Sequence, residues 1–133
     1  FVWERVLDLS QNSGPFVQYA YVRAASILRR AKEESVAPDA SKSKLFGEEE
    51  KALVLMLGEF PEVVVSAADE LRPDYIAGYL NALAQEFNKY YDSVPVLRAP
   101  RDLAEARLAL VRAVARVLKK GLYLLGIETP EKM

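Results

Sequence analysis

The sequence holds 133 residues, 51% hydrophobic and 28% charged, with a formal net charge of −1. A soluble chain of this size is expected to form one domain over residues 1–133, burying about two thirds of the surface its unfolded form exposes. It contains neither cysteine nor histidine, which excludes disulfides, thiolate metal sites and the commonest nucleophile–base pairs. No catalytic residue, metal site or cofactor is therefore expected within the chain, and a cytoplasmic setting is. No apolar run approaches the ~18 residues of a membrane span. Because the chain opens at Phe1 and not at methionine, we expect it to be part of something larger.

Residues Phe1 to Leu9, with Val2, Trp3, Val6 and Leu7 apolar, read as a short amphipathic turn or helix, and Ser10 to Gly14 as a connector. Asn12 and Ser13 can cap a helix, and Pro15 suits its first turn, where the missing N–H is not needed. That helix is expected to run to about Ser35. At about 100° per residue, Val17, Ala20, Ala24, Leu28 and Ala31 share one side, the core stripe. Phe16, Tyr19, Arg23 and Arg30 gather on roughly the opposite side. Rings beside guanidinium groups suit a splayed single-stranded base and its phosphate. The competing reading is that this second side packs against another helix.

The stretch Val36 to Lys44 is polar, small and broken by Pro38, so a loop is expected there. A helix should start at Gly47, with Glu48, Glu49 and Glu50 near its positive end, and stop near Gly58. Pro61 restarts another, carrying Val64, Val65, Ala68 and Leu71 and ending before Pro73. Asp74 can cap the next, which runs to about Tyr91 with a stripe of Ile76, Tyr79, Leu80, Leu83, Phe87 and Tyr90. Pro95 and Pro100 bracket an extended connector. The last helix spans about Arg101 to Leu125, with Leu103, Leu110, Val111, Val114, Leu118 and Leu125 on one side and Arg101, Arg112, Arg116 and Lys119 on the other. Arg107 alone points into the apolar stripe, so it should be paired with a carboxylate or carbonyls in a structural role. Gly126 ends the helix, leaving a short tail. The sum is an all-α bundle of five or six helices.

Chemistry is scarce in this set. The carboxylate pairs Glu33–Glu34 and Asp69–Glu70 look like exposed surface, and no glycine-rich loop follows a strand. The charge is uneven, however. Between Arg98 and Lys120 stand seven bases (Arg98, Arg101, Arg107, Arg112, Arg116, Lys119, Lys120) against Asp102 and Glu105, while the stretch from Glu59 to Glu86 is acidic. A local basic face can hold phosphate on a molecule that is neutral overall. Binding, rather than turnover, is the expected activity.

Four ordered segments then carry a family likeness. Phe1-Val2-Trp3-Glu4, Gly14-Pro15-Phe16-Val17-Gln18-Tyr19-Ala20-Tyr21-Val22-Arg23, Leu83-Ala84-Gln85-Glu86-Phe87-Asn88-Lys89-Tyr90-Tyr91, and the run from Ala106 to the terminal Pro130-Glu131-Lys132-Met133 resemble the C-terminal anticodon-binding domain of arginyl-tRNA synthetase, the all-helical DALR type of the class I synthetases. The resemblance implies tRNA as partner, arginine isoacceptors in particular, bound at the anticodon stem-loop. It implies a catalytic domain of a synthetase, in cis or in trans, that uses ATP and L-arginine. It matches Phe16, Tyr19, Arg23, Tyr91 and Met133 to positions facing the anticodon loop; Arg30 joins them from the helical projection, and Arg112, Arg116 and Lys119 are candidate phosphate contacts. Phe16 stands where tyrosine is common, Tyr21 where histidine is common, and Pro95 where some relatives carry an aromatic. A free-standing relative binding tRNA in trans and a helical protein-interaction module are the alternative readings.

Overall fold

The computed structural model describes residues 3–130 and 133, with residues 3–13 described through their backbone. Four long helices form it: α1 (Trp3–Glu33), α2 (Glu48–Glu70), α3 (Pro73–Ser93) and α4 (Arg101–Leu124), with a 3-10 helix at Ala40–Leu45 as a fifth. The expected all-α bundle is the one found. None of the four is long and apolar enough to cross a membrane.

Two expected breaks are absent. α1 runs unbroken through the supposed connector, so Asn12 and Ser13 lie inside it instead of capping it, and Pro15 is an interior residue. α2 likewise runs through Gly58 and Pro61. A proline inside a helix removes one ladder N–H and orphans the carbonyl one turn earlier. Both prolines lie on exposed positions. The apolar character of Val2, Val6 and Leu7 concerns side chains outside the described residues. Asp74 sits within the first turn of α3, gripped by Arg72 through two bonds of 2.8 and 2.7 Å, while Pro73 occupies the first helical position.

The stretch expected as an open loop is also tied down. Asp39 accepts the Ser41 N–H at 3.0 Å, the Asp39 N–H donates to the Glu105 carbonyl at 2.9 Å, and Lys42 bonds both Asp102 and Glu105 of α4. The contacts to α4 span 60 residues of sequence or more, so local pattern could not show them. They hold the Glu105 carboxyl below its usual range, first through the Lys42 bond and then through Arg101.

α1 packs on α3 and α4, α2 packs on the same two, and α1 and α2 do not touch among the described residues. The α3–α4 pair is therefore the spine, with α1 and α2 on opposite flanks. α1 lies parallel to α3, since Arg23 meets Asn88 while Ile27 and Arg30 lie beside Tyr91 to Arg98. It lies antiparallel to α4, because Gln18 reaches the Glu128 carbonyl and the Ser35 carbonyl accepts from Arg101. The core is built from the expected stripes: Val17, Ala20, Ala24 and Ala31; Ile76, Leu80, Leu83, Phe87 and Tyr90; Leu110, Val111, Val114 and Leu118. Leu28, Tyr79, Leu103 and Leu125 are half-buried at its margins. α2 departs from expectation: it buries Glu50, Leu53 and Ala67, while Val54, Leu55, Val65 and Leu71 are exposed. An outer helix supported on one side has a narrow buried stripe.

One buried polar node locks the upper end of the bundle. Glu50 is fully buried, accepting the Gly47 N–H at 2.8 Å and the Tyr90 hydroxyl at 3.0 Å. The Arg107 Nε lies 3.3 Å from the same carboxylate, an ion pair off the direction of a hydrogen bond, and its Nη1 donates to the Pro95 carbonyl at 2.8 Å. Arg107 thus has the structural pairing its position in the stripe required. Burial, followed by the Glu50 charge, pushes the Tyr90 phenol far above its usual range, which keeps it the donor in this node.

Candidate nucleic-acid interface

Tyr19 and Arg23 are one helical turn apart on α1, so their side chains lie one above the other. Asn88, Tyr91 and Asp92 repeat that spacing on α3, and the parallel packing of the two helices brings both sets to one surface. The Arg23 guanidinium carbon lies 4.6 Å from the Tyr19 ring centre and 4.6 Å from that of Tyr91, within cation–π range of both. Its Nη1 donates to Asn88 Oδ1 at 3.3 Å and lies 3.5 Å from the Asp92 carboxylate. Nη2 is 3.5 Å from the Tyr19 hydroxyl, at the outer limit of a hydrogen bond. On the inner side Tyr91 meets the buried Phe87 ring, centres 6.3 Å apart and planes inclined by 56°.

The result is a column running outward from the core: Phe87, Tyr91, Arg23, Tyr19. Its two ends differ in exposure. Phe87 is sealed, the Arg23 side chain is 23% exposed, and Tyr19 is 46% exposed. Tyr91, 38% exposed, has both Phe87 and Arg23 as neighbours. Such a surface can receive a flat base on Tyr19 and offers polar edges beside it.

The other candidates fall in several places. Phe16 is half-buried and packs against the core, apart from the column. Arg30 is exposed and lines a cavity of about 480 Å³ with Glu34, Tyr91, Pro95 and Arg98. Arg116 and Lys119 are exposed on α4 and Arg112 is half-buried; none of the three forms an ion pair among the described residues. Met133 is exposed. Glu33, Glu34, Asp69 and Glu70 are all exposed.

Three contributors escaped the sequence reading of the site. Asn88 and Asp92 were invisible as partners of Arg23 because they lie on another helix; the Phe87-Asn88 pair within the family-like segment was the only signal in the sequence. Gln18 was the third. Its Nε2 donates to the Glu128 carbonyl at 2.8 Å, and Ile127 comes within 3.7 Å of where a Cβ on Gly14 would sit. The start of the tail is thereby laid along α1, next to the column.

Comparison with known proteins bears on this geometry. The profile of the DALR anticodon binding domain matches residues 17–133. Arginine–tRNA ligases from Pyrobaculum arsenaticum and Pyrococcus furiosus are 50% and 42% identical across the whole chain, which spans 21% and 22% of their lengths. The solved arginyl-tRNA synthetase of Thermus thermophilus superposes with a TM-score of 0.81 at 47% identity, over 90% of this chain and 21% of that one. A putative arginyl-tRNA synthetase from Campylobacter jejuni, 22% identical, shares the fold with a TM-score of 0.78. The chain thus spans about a fifth of its relatives. It belongs to the DALR anticodon-binding domain family, in the form found in arginyl-tRNA synthetases.

Proposed function

We propose that this chain is the tRNA-recognition part of an arginine–tRNA ligase and receives the anticodon loop of arginine tRNAs on the α1–α3 surface. The observation that carries the reading is the column that ends in Tyr19. It is built from the two segments that resemble the family's motifs, and it leaves an aromatic face open at the molecular surface. Arg30 and Arg98, which line the adjoining cavity, supply positive charge for phosphates beside the bases. The exposed Arg116 and Lys119 add longer-range attraction, which is screened by salt. The catalytic domain lies in the same polypeptide, outside these residues, and is where ATP and L-arginine act.

Stacking contributes about 1–3 kcal/mol per base, and a micromolar complex needs about 8 kcal/mol. One or two stacks are too few alone, so the rest of the synthetase carries much of the affinity. The test is a titration of the full-length protein with an arginine tRNA and with a non-cognate tRNA. Tyr19→Ala should weaken cognate binding by about 1–3 kcal/mol while thermal stability stays close to wild type, because the ring is half open to solvent. Equal binding of the two tRNAs, or a Tyr19→Ala protein that binds as wild type, would overturn the proposal.

A further inference from the structure

We infer that Arg23 is a positioning residue: it sets the Tyr19 ring for stacking and does not itself hold a phosphate. The inference rests on the anticodon-face reading above and assigns that face its working order.

The argument starts from what a guanidinium can offer. It has two flat faces and a fixed fork of donors, and no other cation has both. In this protein two rings, Tyr19 and Tyr91, lie within cation–π range of it, each with its centre 4.6 Å from the guanidinium carbon. Its Nη1 edge is directed to Asn88 at 3.3 Å and to Asp92 at 3.5 Å. The Asp92 carboxylate offsets its charge, so little net field remains to attract a phosphate. A residue meant to seize a backbone phosphate would keep its fork open, as the exposed Arg30 and Arg98 can.

Tyr91 is in turn backed by Phe87, which is sealed in the core. Rigidity therefore passes outward through the Tyr91–Arg23 and Arg23–Tyr19 contacts. Tyr91 and Arg23 are the supports, and Tyr19, the most exposed ring of the column, is the one that offers itself to a base. A side chain held in its binding orientation loses less freedom when the ligand arrives. Lysine cannot replace the arginine, since a compact ammonium cannot meet two rings and the Asn88 oxygen at once as the planar fork does.

Five proteins test this by tRNA titration over a range of salt: wild type, Arg23→Lys, Arg23→Met, Tyr19→Ala and the Arg23→Lys/Tyr19→Ala double variant. Arg23→Lys should weaken binding about tenfold, although the charge is kept. In the Tyr19→Ala background it should do almost nothing, because the ring it serves is gone. Arg23→Met should leave the dependence of affinity on salt as it is in wild type. A phosphate ligand behaves otherwise: Arg23→Lys binds nearly as wild type, the losses multiply in the double variant, and Arg23→Met lowers the salt slope by about 0.7. Any of those three results overturns the inference. Should Arg23→Lys melt early, Tyr91→Leu is the second probe, and its loss should likewise vanish when Tyr19 is absent; multiplying losses there overturn the inference as well. If Tyr19→Ala alone changes nothing, the anticodon-face reading has failed; if it weakens binding while the Arg23 variants are neutral, only the positioning role has.

Discussion

Gly121 shows how far one side chain is decided by its neighbour. A Cβ placed there would come within 2.5 Å of the Leu80 Cδ2, so α3 and α4 touch at a point where only hydrogen fits. Leu80 is buried and cannot swing away. Gly121→Ala should therefore cost about 1–3 kcal/mol of stability through overpacking, measured by denaturant unfolding. Retained stability would show that the spine can part by a few tenths of an ångström. Sequence alone gives Gly121 no such part, since a glycine near a helix end reads first as a terminator. Tyr19 and Arg23 were different. Their spacing within one helix is visible in the letters themselves, whereas Asn88 and Asp92 become their neighbours only once two helices have packed. Periodicity describes one helix at a time; the register between helices is set by packing that no local window contains.

At the scale of whole elements, the same contrast explains what was misread. The core stripes of α1, α3 and α4 were legible because a 3.6-residue period repeats over several turns. The boundaries at Pro15 and Pro61 were not, because proline starts helices more often than it lies inside them. Both are exposed interior residues here. The end of α2 is strained in a way that can be relieved. Leu71 closes the helix with φ of 54° and ψ of 47°, the left-handed region where a branched side chain is costly and glycine is not. Its side chain is 76% exposed, so little packing is lost on removing it. Leu71→Gly should raise stability by about 0.5–1 kcal/mol, the left-handed strain relieved less the chain entropy that glycine adds, read as an increase in melting temperature. A fall would mean that Leu71 contributes contacts beyond those the bundle shows.

For the molecule as a whole, the node of Glu50, Tyr90 and Arg107 joins α2, α3, α4 and the connector before α4 in one place. Breaking a buried pair leaves an uncompensated charge, and Glu50→Ala should cost about 3–5 kcal/mol, by thermal or chemical unfolding. A cost under about 1 kcal/mol would mean that water reaches the pair. The sequence identified Arg107 as a residue in need of a partner. It did not identify Glu50, which stands among three glutamates that look alike at the start of α2.

Val17, Gln18 and Tyr19 face three ways from one turn of α1: into the core, toward the tail at Glu128, and out to solvent. Each added or lost residue rotates everything beyond it by about 100°. A one-residue deletion in this turn would thus shift wall, latch and platform out of phase together. The segment tolerates changes of letter far better than changes of length.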